Sequence, residues 1–86
     1  MASLELESAN FHVTLYGRKV VEVKRTAGKS ISTYKVMPDG EYHVTHENDC
    51  IREHYLDGSQ LPDWIRERFE GNFGENDTVI QSHKNN

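Results

Sequence analysis

Short alternating segments joined by tight turns, then one capped amphipathic stretch, predict an α+β fold. The expected form is an antiparallel meander sheet of four to five strands, with one face packed on a C-terminal amphipathic helix. Three observations carry it. Phe11-His-Val-Thr-Leu-Tyr16 alternates apolar and polar residues cleanly. Gly17-Arg-Lys, Ala27-Gly-Lys and Pro38-Asp-Gly40 then punctuate the chain as turns. Finally, Gly58 to Gly71 spells out a helix. Ser59 serves as cap, Pro62 suits the first turn, Asp63 sits near the positive end, and Gly71 is a natural stop. Leu61, Trp64, Ile65 and Phe69 make its apolar stripe, leaving Arg66, Glu67 and Glu70 wet.

The elements follow in order. Residues 1–9 have no sustained pattern and read as a flexible leader to a single domain at 10–72. The first strand turns Phe11, Val13 and Leu15 to one side and His12, Thr14 and Tyr16 to the other. A second, Val20 to Thr26, is expected to turn Val21 and Val23 inward. In the third, Ser30 to Met37, the apolar positions change parity between Ile31 and Tyr34, which predicts a bulge or a frayed start. Tyr42 and Val44 share a face in the fourth. Residues 51–56 read as a fifth strand, with a short helix capped by Asp49 as the alternative. Residues 73–86 are expected to form a loop and a mobile tail, with a short edge strand open as an option at 78–81.

Composition bounds the function. Eighty-six residues make one domain, which buries about 60% of its unfolded surface. A single cysteine, Cys50, excludes an internal disulfide and fits a cytoplasmic setting. The first residues are acidic where a signal peptide needs basic ones, and no run approaches the roughly 20 apolar residues of a membrane helix. Net charge is −4, but it is divided. Gly17 to Val36 holds six basic residues and one acidic; Asp39 to Asp77 holds eleven acidic and three basic.

That division supplies the functional expectations. The first is a non-enzymatic protein-binding module, an inhibitor or adaptor that masks a basic, nucleic-acid-binding surface of a partner protein. Its acidic face would comprise Glu47, Asp49, Glu53, Asp57, Glu67 and Glu70. The alternative is a small nucleic-acid-binding protein using the basic hairpin residues Arg18, Lys19, Lys24, Arg25, Lys29 and Lys35. Third stands a zinc-dependent or RNA-cleaving enzyme.

The zinc reading rests on His46, Cys50 and His54, with His43 nearby. On a helix the outer two lie about 12 Å apart along the axis, too far for one ion without a bend. On a strand His43 and His46 point to opposite faces. No metal, other cofactor or catalytic residue is therefore assigned. Ala27-Gly-Lys-Ser30 ends like a phosphate-binding loop, but Val23 stands where the first glycine belongs and a strand follows. Trp64 fits the core stripe better than an exposed anchor. An unpaired edge strand leaves a homodimer open.

Overall fold

The computed structural model describes residues 9–48 and 50–82. It holds a six-stranded sheet: β1 (Asn10–Tyr16), β2 (Lys19–Ala27), β3 (Ser30–Val36), β4 (Tyr42–Glu47), β5 (Ile51–Leu56) and β6 (Thr78–Ser82). Among the described residues one short helix, α1 (Asp63–Phe69), and one 3-10 turn at Gly58–Gln60 precede β6. The small α+β class is as expected, but the sheet is larger and mixed. β1 to β5 form an antiparallel meander, and β6 closes the opposite edge by pairing parallel to β1, in the order β5-β4-β3-β2-β1-β6. The edge strand left open at 78–81 therefore exists, one residue longer. Of the proposed leader, only Ala9 lies among the described residues, where it packs against the core; the last four residues also fall outside them.

Cross-strand register explains the core. Val13, Val23, Tyr34 and Val44 lie directly opposite one another on successive strands and form a buried row. Phe11, Val20, Leu61 and Ile65 complete the core, with Ile65 carried by α1. Two parity expectations are corrected. The bulge lies in β2, not β3: the register with β1 shifts between Thr14 and Leu15, so Val20 rather than Val21 is buried beside Val23. β3 pairs regularly on both sides, and Ile31 simply faces the other way from Tyr34. Residues 51–56 are strand.

The helix is shorter than its sequence pattern predicts. Asp57, not Ser59, makes the cap, and it caps the 3-10 turn: its carboxylate accepts from the Ser59 N–H at 2.9 Å, while Gln60 reaches back to the Asp57 N–H. Pro62 then opens α1 without a side-chain cap. Gly71 does end it, at φ +97, with Asn72 N–H donating to Glu67 O and Gly71 N–H to Arg68 O. These two bonds form the glycine stop known as a Schellman motif.

α1 lies against β2 and is fixed at both ends by side chains. Trp64 meets the edge of Phe11 at 5.9 Å, and Phe69 meets Tyr42 at 4.9 Å. Arg68 grips Asp77 through two hydrogen bonds of 2.7 and 3.0 Å, donates to Trp64 O and covers the Phe11 ring. The Asp77 side chain is only 4% exposed, and this clamp leads the chain directly into β6. Asp77→Ala is therefore expected to cost about 2 kcal/mol and to release β6, read as loss of amide protection from Thr78 to Ser82 with β2 and β3 unaffected.

Candidate functional site

Seven residues of helix span only about 10 Å, whereas six strands spaced about 4.8 Å apart span about 24 Å. The helix thus covers the middle of one sheet face and leaves two surfaces open. One is the whole opposite face. The other is the helix-side surface at the far end of β4 and β5, around His46, Arg52 and His54.

The opposite face is set by strand parity. Its central rows read Thr78, His12, Lys24, Thr33, Thr45, Glu53, and then Ile80, Thr14, Glu22, Lys35, His43, Tyr55. Four of the six exposed large apolar or aromatic side chains lie here: Tyr16 and Ile80 at one flank, Ile51 and Tyr55 at the other. Tyr55 lies 5.0 Å from the His43 ring, and His43 Nε2 is 3.0 Å from a Glu53 carboxylate oxygen. Lys19, Lys24 and Lys35 occupy β2 and β3, whereas Glu47 and Glu53 occupy β4 and β5.

The acidic residues singled out by sequence are thereby divided. Glu47 and Glu53 share the open sheet face. Glu67 and Glu70 are exposed on and just after α1, on the far side of the sheet. Asp57 is engaged at the 3-10 turn, where the Ser59 hydroxyl and N–H hold its carboxyl below the usual range. Asp49 lies outside the described residues. Of the basic set, Lys19, Lys24 and Lys35 share the open face, and Arg18 and Lys29 sit in turns. Arg25 instead faces the helix side, its guanidinium carbon 5.0 Å from the Trp64 ring centre. Among the described residues, no ion pair links the basic hairpin to the acidic block.

On the helix-side surface, Ser32 Oγ lies 2.8 Å from His46 Nδ1, and His46 Nε2 lies 3.1 Å from His54 Nε2. The two imidazoles stack at 5.1 Å. Here β5 places His54 opposite Val44 and Arg52 opposite His46. Cys50 is exposed in the turn before β5, and no group of three or more His, Cys, Asp or Glu suited to a metal forms among the described residues. Sequence parity carried a signal for this cluster: His46 is in step with Tyr42 and Val44, and Arg25 with Val23. A groove of about 810 Å³ lies elsewhere, between the β1–β2 turn and Phe69 to Phe73, and its described lining includes no imidazole or thiol.

Burial first, then the charges of His54 and Arg52, hold His46 below the ordinary histidine value of 6.5. The unfolded chain therefore takes up this proton first. Stability is fully present above pH 6.5 and declines as the pH falls through that value towards the folded one. The melting temperature should fall between about pH 7.5 and about pH 5.5, and His46→Gln should flatten that slope.

Comparison with protein-family models, with curated proteins and with solved structures finds no match for this chain. No helix among the described residues is long and apolar enough to cross a membrane.

Proposed function

We propose that this chain is a non-enzymatic protein-binding module whose contact surface is the open face of the sheet. The observation that carries the reading is that Tyr16, Ile51, Tyr55 and Ile80 are all exposed on that one face, a pair at each flank with charge of both signs between them. Exposed aromatic and aliphatic side chains interspersed with charged groups are what a partner protein can cover. The partner presents basic groups opposite Glu47 and Glu53, so the module acts as an inhibitor or adaptor that covers a basic, nucleic-acid-binding surface. The edge strands β5 and β6 offer backbone groups for strand addition by the partner or by a second copy. The exposed thiol of Cys50 suits a reducing, cytoplasmic setting.

The test compares three baits in affinity capture: the natural chain, Ile51→Ala/Tyr55→Ala, and Glu67→Gln/Glu70→Gln. The open-face variant should lose a partner that the helix-side variant keeps. The reverse pattern transfers the interface to α1 and defeats the proposal.

One observation favours a second reading. Lys19, Lys24 and Lys35 share a face with Tyr16 and form no ion pair among the described residues, leaving them available to phosphates and stacked bases. Salt-sensitive oligonucleotide binding by the natural chain that vanishes in Lys24→Ala/Lys35→Ala would replace the first reading with this one.

A further inference from the structure

The cleft beyond the end of α1 has an unusual charge balance. Its walls include Arg25 from β2, Ser32 from β3, His46 and Glu47 from β4, Asn48, and Arg52 from β5, around an open volume of about 310 Å³. Two guanidinium groups, permanently charged, line it with the His46 imidazole, which His54 contacts from behind, and among the described residues Glu47 is the one lining carboxylate. Neither arginine joins an ion pair among the described residues. Arg25 Nε is buried without a hydrogen-bond partner, and the Trp64 ring holds the guanidinium in place. Two guanidinium groups, one on β2 and one on β5, that join no ion pair among the described residues make this cleft suited to an anion.

We infer that this cleft binds a phosphate-type oxyanion, the phosphoryl group of a small phosphomonoester or free inorganic phosphate, with Arg25 and Arg52 as its charged arms. Ser32 supplies the directional donor. The Ser32–His46–His54 chain has two polarities. In one, the Ser32 hydroxyl donates to His46 Nδ1, and His46 Nε2–H donates to His54. In the other, His46 Nδ1–H donates to Ser32 Oγ and His54 Nε2–H donates to His46, freeing the Ser32 hydrogen for the cleft. A bound oxyanion selects the second. The anion also offsets the repulsion that His54 and Arg52 exert on an imidazolium, so binding raises the His46 pKa; Tyr34, Arg25 and Glu47 are the other titratable groups packed around it.

The experiment is a titration of the full chain with inorganic phosphate at constant ionic strength, followed by imidazole and guanidinium ¹⁵N–¹H NMR. The expected result is saturable shifts at His46, His54, Arg25 and Arg52, with His46 moving to the Nδ1–H tautomer. Arg52 is an exposed strand residue, so Arg52→Gln folds and should weaken binding about tenfold, in line with one lost charge-assisted hydrogen-bond pair. Shifts that rise linearly without saturation overturn the site. So does an Arg52→Gln loss smaller than about threefold, whereas any larger loss supports it. A parallel titration with a nucleoside monophosphate separates the sources: tighter binding than inorganic phosphate assigns the site to a phosphomonoester, and equal binding to the free anion. The arms of this cleft, Arg25 and Arg52, lie on the helix side of the sheet, whereas Tyr16, Ile51, Tyr55 and Ile80 lie on the open face, so failure of either proposal leaves the other standing.

Discussion

Ile65→Ala is expected to destabilise the protein by about 4 kcal/mol. Ile65 is fully buried and is the buried residue of α1 itself, set against the row Val13, Val23, Tyr34 and Val44. Truncation removes three carbons and leaves a cavity that neighbours on a rigid sheet cannot fill. A chain of 86 residues has a total stability on the order of 4–13 kcal/mol, so the loss is a large share. Urea unfolding measures it as a drop in midpoint at constant slope. Glu67→Ala, two residues on and on the exposed side of α1, should change stability by under about 0.5 kcal/mol. Equal effects from the two variants would mean that α1 does not pack as described.

Ile51→Ala/Tyr55→Ala should weaken partner binding about 100-fold, roughly 3 kcal/mol, without loss of fold. Both side chains are more than half exposed, Ile51 at 66% and Tyr55 at 57%, so their removal costs the monomer little. Across an interface they act as anchors: each presents apolar surface that only a partner can cover, and Tyr55 is steadied by the tilted His43 ring. Glu53→Gln should act differently, slowing association and weakening its dependence on salt. Titration calorimetry and stopped-flow mixing with the captured partner separate these two contributions.

The core of the fold was legible because it obeys the period of two. Phe11, Val13 and Leu15, and later Tyr42 and Val44, announce their face directly, and the register then aligns them. What escaped was set by contacts distant in sequence. Nothing local marks Val21 as the extra residue of a bulge, because Val20, Val21 and Val23 are chemically equivalent until β1 fixes the register. β6 has only five residues, and it enters its parallel pairing with β1 directly after the Arg68–Asp77 clamp, whose partners are nine residues apart. The acidic block illustrates the same limit. Glu53 and Glu67 are near in sequence, but one faces away from α1 and the other lies on it.

The site was legible in part. His46 and His54 were singled out, and as strand residues they do meet, because β4 and β5 pair in antiparallel register. Arg25 was assigned to the basic hairpin, but its parity with Val23 carries it through to the other side of the sheet.

The four isoleucines provide the most direct measurement. Ile31, Ile51 and Ile80 lie on the open sheet face, whereas Ile65 lies beneath α1. In methyl NMR of the isoleucine-labelled chain bound to its partner, the Ile51 and Ile80 signals should shift or broaden while Ile65 stays in place. Unchanged Ile51 and Ile80 methyls beside a perturbed Ile65 would contradict the account.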